Sequence, residues 1–306
     1  MTARPERVSA EEVRQRMLDA GRELALEAGA ALTIEHLRLE EVIQRARVPR
    51  SSVYRMWAYR EDYIDDLLSY LAGMGSWFSS RPVLDAGSLS DVEQILGENA
   101  SLLGTVEGRR ALLCEVTRVT VTRNYQALTE SMPWRLHMAL VATLGSTRSG
   151  EARKRIAAAL EDSQRRSREW LVALLAQLQG VLGLRLRDPA HTLDHVALAG
   201  GLVVQSLALR NVQVQAAAGA PEGPGMASAS DTAMVNGLLN DPIPGPGLHG
   251  EPAGWTLAAF SYLGVVDAFM ELDPDFTFPA GRPDRLNPRI ETTTGPRGTY
   301  SHSQPG

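Results

Sequence analysis

Apolar residues recur every three or four positions along most of this chain, with charged residues between them, and that period puts them on one face of successive amphipathic helices. Val13, Met17, Ala20, Leu24 and Ala28 mark the first. Ser9 followed by Glu12 opens it as a capping box, in which hydroxyl and carboxylate each satisfy an otherwise unpaired N–H, and Gly29 closes it. After a connection with room for a helical turn at residues 33–37, two short segments follow, 39–46 and 50–57, separated by Arg47-Val48-Pro49. Leu39, Val42, Ile43 and Ala46 form the inward face of one; Val53 and Trp57 form that of the other, leaving Arg50, Ser51, Ser52, Tyr54 and Arg55 outward. Two short helices about so tight a turn have the layout of a helix-turn-helix.

A further helix over 60–72 presents Tyr63, Ile64, Leu67, Leu68 and Leu71 as its stripe, and Gly73, Gly75 and Arg81-Pro82 then mark a change of packing unit. Beyond residue 88 the character stays helical. Ser90 with Glu93 predicts a capped helix running to about residue 103, and helices over 107–125 and 131–144 follow. The clearest spans 149–182, where Ile156, Leu160, Ser163, Ser167, Trp170, Leu174, Leu178 and Val181 recur at helical spacing; its second half is the more apolar and is expected to be the buried half. Asp188 with Pro189 predicts another helix start, on which Ala197, Gly200, Gly201, Val204 and Ala208 make one flank small. Residues 216–254, rich in glycine and proline, read as a long mobile loop, 255–272 as the last helix, and 273–306 as a disordered tail. No repeat or strand-like alternation is evident. The expected fold is all-α: a helix-turn-helix head at 1–72, a larger helical domain at 73–272, and the tail.

Composition bounds the function. With 44% apolar residues in 306 the chain can build a sizeable core. No apolar run is long enough to span a bilayer, and the N-terminal charge has no apolar stretch behind it as a signal peptide would, so the expected place is the cytoplasm. Cys114 is the only cysteine, which excludes an internal disulfide and a cysteine-clustered zinc site. The net charge of −5 argues against a nucleic-acid partner until its distribution is seen. Residues 1–60 hold eleven arginines against nine acids, and five of these arginines, at 45, 47, 50, 55 and 60, lie in a stretch free of acids. A basic end on an acidic body fits an electrostatic contact with nucleic acid. Lys154 is the only lysine, so phosphate contacts must come from arginine, whose planar fork suits phosphate and base edges alike.

Over about its first seventy residues the chain resembles the TetR (tetracycline-repressor-like) family of bacterial transcriptional regulators, through the capped first helix ending Glu27-Ala28-Gly29 and the run Val48-Pro49-Arg50-Ser51-Ser52-Val53-Tyr54 with Trp57, Arg60 and Glu61 behind it. The resemblance implies a three-helix DNA-binding head, a helical domain that binds a small effector, and a homodimer made through late helices. It makes residues 50–57 the recognition helix, with Arg50, Ser51, Ser52 and Arg55 for base edges and phosphates, and Tyr54 and Arg60 for phosphate. Arg38 stands where the family has Thr or Ser at a helix N-terminus that already favours phosphate, and can add a charge-assisted contact. Arg47 replaces the usual turn glycine, which implies either φ below zero or strain, and with it a different contact set. Tyr59 replaces a small capping residue, and the connection from Gly29 to Arg38 is longer than usual.

Other chemistry is sparse. His191 and His195, four apart with Asp194 between them, have zinc-binding spacing and resemble an inverted zinc-protease motif, but no motif supplies a third ligand, so they read first as capping and surface histidines. Nucleotide loop, nucleophile elbow and paired catalytic carboxylates are lacking, so neither a cofactor nor an enzymatic activity is expected. Cys114 sits in an apolar setting that suits an inert core thiol. Trp77, Trp134, Trp170 and Phe260 are candidates to line an apolar pocket between helices. The leading expectation is a dimeric, effector-responsive repressor that reads a pseudo-palindromic operator in duplex DNA; the alternatives are a metal-dependent helical enzyme using His191 and His195, and a helical module for protein contacts.

Overall fold

The computed structural model describes residues 9–27, 37–73, 86–144, 150–218 and 228–278, and within these the protein is all-α apart from two short two-stranded ribbons. Helix α1 spans Ala10–Glu27, α2 Leu39–Ala46, α3 Arg50–Met56 and α4 Arg60–Gly73. Ser9 Oγ accepts from Glu12 N at 3.1 Å, which is one half of the expected capping box; the Glu12 carboxylate pairs with Arg16 instead of reaching back. The expected stop at Gly29, the turn at 33–37 and the break beyond Gly73 involve residues outside the described ones.

These four helices close around Met17, Leu18, Val42, Val53, Leu67 and Leu71, all fully buried. At about 1.5–3 kcal/mol for each large apolar side chain taken out of water, this core is sufficient to hold helices as short as α2 and α3, which would not form alone. Gly21 lets α4 approach, since a Cβ there would stand 2.2 Å from the Tyr63 hydroxyl. That hydroxyl donates to the Met17 carbonyl at 3.0 Å, and the Trp57 indole donates to Asp66 at 3.1 Å, so α1, α3 and α4 are tied by directed bonds as well as by packing.

The remaining helices are α5 (Ala86–Glu98), α6 (Val106–Glu130), α7 (Met132–Thr143), α8 (Gly150–Leu182), α9 (Leu193–Ala218), α10 (Ala229–Asn240) and α11 (Leu257–Phe269), with a 3-10 turn at Ala100–Gly104. Thr105, Ser131, Ser228 and Thr256 cap α6, α7, α10 and α11 through their hydroxyls. Ser90 does not start a helix: α5 is already under way at Ala86 and ends at Glu98, short of residue 103.

Helix α8 belongs to two cores. Ile156 and Leu160 in its first half pack with Leu136 and Leu140 of α7 into the core of α1–α4, while Leu174, Leu175 and Leu178 in its second half join α6, α9 and α11. The expectation that only its second half is buried therefore fails, because Ala152, Ile156, Leu160 and Ser163 keep a narrow buried stripe among many charges.

Three further expectations are corrected. Residues 216–254 are not one long loop: they include the end of α9, all of α10, and a hairpin of β2 (Ile243–Pro246) and β3 (Pro252–Trp255). The hairpin is ordered by its own indole, since Trp255 is buried over Gly245 and donates to the Pro246 carbonyl at 3.1 Å. The last helix ends at Phe269, where residues 270–272 turn extended as β4 (Met270–Leu272) and pair antiparallel with β1 (Leu184–Leu186). Residues 273–278 are held in place rather than loose, and the rest of the expected tail lies outside the described residues. The small flank of α9 does allow a close approach: a Cβ on Gly200 would stand 2.3 Å from the Tyr262 ring of α11. No helix among the described residues is long and apolar enough to cross a membrane.

Candidate nucleic-acid interface and body cavity

Helices α2 and α3 meet through Arg47-Val48-Pro49. Val48 is buried and anchors the turn, while Arg47 takes φ 52° and ψ 46°, the left-handed region, and its N–H reaches the Gln44 carbonyl at 3.3 Å. Of the two outcomes the sequence allowed at this position, the strained one holds. Arg47 is the only non-glycine residue with positive φ among the described residues. An L side chain there costs roughly 1–2 kcal/mol that glycine would not, so the arginine is kept at the expense of stability.

From this turn an exposed face extends. Arg38, Arg47, Arg50, Ser51, Tyr54 and Arg55 are all solvent-exposed, and Ser52 is half-buried between them. Helix α3 itself carries no acid. The nearest counter-charge comes from α2, where Glu40 is ion-paired with Arg50 and accepts the Tyr54 hydroxyl at 3.1 Å. That bond, and the negative charge beside it, raise the Tyr54 pKa above the ordinary phenol value.

Two of the five clustered arginines do structural work away from this face. Arg45 makes a two-pronged pair with Glu27 of α1, at 2.7 and 2.9 Å, which also holds the Glu27 carboxyl below its usual range. Arg60, expected at phosphate, spends its Nε and one Nη on the Leu37 carbonyl at 3.2 and 2.9 Å, strapping the entry of α2 to the start of α4. Tyr59 is exposed, and its N–H is taken by Asp62 at 3.1 Å.

A second feature lies in the body. A cavity of about 130 Å³ opens between α6, α8, α9 and α11. Leu113, Val116, Leu174, Leu178, Val204 and Val266 form its apolar floor, and Asn124, Gln164, Ser167, Arg168 and Gln205 are polar positions along its walls. Trp134, Trp170 and Phe260, the expected pocket residues, are not among its lining. Trp134 is buried in the body core, Trp170 is packed against that core, and Phe260 stands out on the solvent side of α11 with its ring edge to Trp255. Trp77 lies outside the described residues. Trp134 and Trp170 are core, the first reading for single aromatics, and the cavity is marked instead by Thr117, Thr120 and Asn124, hydrogen-bonding side chains at helical spacing on a face of α6 that is otherwise apolar.

The histidine pair does not form the alternative helix-face metal site. Helix α9 starts at Leu193, so His191 precedes it and only His195 is on it; Asp188 instead closes a turn by accepting from Ala190 N at 2.8 Å. His195 Nδ1 accepts from Thr192 N at 3.1 Å, an N-terminal cap, and both rings lie against Phe269. Asp194 accepts from Arg168 Nε at 3.1 Å. Among the described residues no three His, Cys, Asp or Glu side chains are grouped to hold a metal ion. Cys114 is buried, which pushes its thiol pKa up and away from reactivity.

Comparison with known proteins returns no match among family models, curated proteins or solved structures.

Proposed function

We propose that this protein is a DNA-binding transcriptional regulator, acting as a ligand-responsive repressor on a pseudo-palindromic operator, of the kind the TetR-like stretch at residues 39–63 suggests. The observation that carries the reading is the face around α3. Arg50, Ser51, Tyr54 and Arg55 stand exposed on a short acid-free helix seated on a buried apolar core, with Arg38 and Arg47 exposed beside it. In this reading α3 enters the major groove, the serines and Arg50 meet base edges, and Arg38, Tyr54 and Arg47 meet phosphates.

A two-fold dimer supplies the second half-site contact. Phe260, Gly264 and Ala268 leave one side of α11 exposed, and that side is apolar and small enough for two copies to pack closely. The cavity beside α9 and α11 then gives a ligand a means of changing the spacing of the two heads, provided its affinity differs between the two spacings.

The deciding experiment is selection of bound sequences from random duplex DNA with the full-length protein, with molecular mass measured in the same sample. Recovery of an inverted repeat bound by a dimer supports the proposal. A Tyr54→Ala, Arg55→Ala double variant that still bound the selected site with unchanged affinity would sink it.

A further inference from the structure

We infer that the body cavity is a binding site for an uncharged, mostly apolar molecule of about ten heavy atoms that carries one hydrogen-bonding group. Size sets the first limit. At about 130 Å³ the cavity is close to the engineered apolar cavity of roughly 150 Å³ that takes up benzene, and its opening past the exposed Leu198 and Leu202 of α9 leaves room for a short substituent.

Charge sets the second. Among the described residues no acid lines the cavity, and the one cation that does, Arg168, already donates to Asp194. An anionic guest would have to compete with that pair and also lose its own hydration against leucine and valine, a cost that one rim arginine does not offset. A cation would meet no acid on the described lining and would stand beside Arg168.

Polarity sets the third. Asn124 lines the cavity, and its Oδ1 is buried with no hydrogen-bond partner. Such an acceptor is costly to leave unmet. Thr120 makes no competing demand, because its hydroxyl is spent on the Val116 carbonyl at 2.7 Å. A guest with a neutral O–H or N–H at one end meets this requirement while its apolar body covers the floor.

Calling the guest an effector rests on the proposed regulatory function; the binding site does not, and the test is made without DNA. Full-length protein is titrated calorimetrically with three matched probes, 4-ethylphenol, ethylbenzene and 4-ethylbenzoate. The phenol is expected to bind about tenfold tighter than ethylbenzene, the worth of one buried hydrogen bond, and the benzoate not measurably. Asn124→Leu should abolish the tenfold preference and retain binding of ethylbenzene. Gly201→Leu should abolish binding of all probes while keeping the helical circular dichroism, because a Cβ at Gly201 meets nothing within 4 Å and the added side chain fills the space. Binding led by the benzoate, no binding of any probe, or binding untouched by Gly201→Leu overturns the inference. A protein that takes up 4-ethylphenol yet ignores duplex DNA would overturn the regulatory reading and leave this one standing.

Discussion

Glu40 and Tyr54 are joined across the α2–α3 turn by a 3.1 Å hydrogen bond, and the same carboxylate is ion-paired with Arg50. One acid of α2 thus occupies two side chains proposed to meet DNA. To reach phosphate or base, both must first let go of it. Replacing Glu40 with Gln removes the competing charge but keeps a similar shape. Binding to random duplex DNA should tighten about two- to fivefold at low salt, the range of an exposed ion pair, with a smaller gain on the selected operator. Fluorescence anisotropy on both DNAs checks this, and weaker binding to both would instead mean that Glu40 orients the pair.

Arg109 bears on stability rather than on binding. It is 2% exposed, and among the described residues no carboxylate pairs with it; its guanidinium donates to the Asp273 carbonyl at 2.7 Å and the Phe276 carbonyl at 3.3 Å. It also lies over the Phe276 ring, which in turn covers Gly183 at its positive φ. Arg109→Ala should cost about 2–4 kcal/mol in urea unfolding, from the lost packing of a buried side chain and two part-buried carbonyls left unmet, and should expose residues 273–278 to proteolysis. Arg109→Lys should recover less than half of that, since a point charge cannot serve carbonyls spread around a planar fork.

These two cases show what the sequence discloses. The helices of residues 9–73 are legible because burial there follows a strict period: Leu39, Val42, Ile43 and Ala46 are all inward, as the spacing demands. The outward set on α3 follows from the same count. What is hidden depends on partners far away in the chain. Nothing near Arg109 distinguishes it from Arg110, whose side chain reaches the surface to pair with Asp267. The glycines and prolines of 243–255 suggest a loop because strand alternation needs side chains, whereas this hairpin is fixed by one indole packed on Gly245. The cavity is likewise a property of four helices, so no single stretch announces it.

His137 is buried at the seam between the two cores, with its Nε2 3.1 Å from Gln164 Nε2 and its Nδ1 unpaired. Burial lowers its pKa below the ordinary histidine value. A lowered folded-state pKa means that the unfolded chain takes up the proton first, so stability is fully present above about pH 6.5 and declines as the pH falls toward the lowered value. His137→Leu should flatten that decline. Melting temperatures of the two proteins from pH 7.5 to 5 test it through their difference, which also cancels the exposed histidines. A parallel pair of curves would mean that His137 is protonated as readily in the folded protein as in the unfolded chain.

Arg47 should set stability against binding. In its left-handed conformation it carries a backbone cost that glycine lacks, so Arg47→Gly should raise unfolding stability by about 0.5–1 kcal/mol, the gain being limited by the greater freedom of glycine in the unfolded chain. If the exposed guanidinium contacts a phosphate, the same change should weaken DNA binding at every sequence by a similar factor. The slope of log affinity against log salt should become shallower by about one unit, because one fewer counterion is released. Arg47→Asn separates the two effects, since asparagine tolerates the left-handed region but brings no charge: it should recover part of the stability and none of the binding. A stabilised glycine variant that binds DNA as the parent does, with the same salt slope, would make Arg47 a residue of the turn alone and move the edge of the contact face to Arg50.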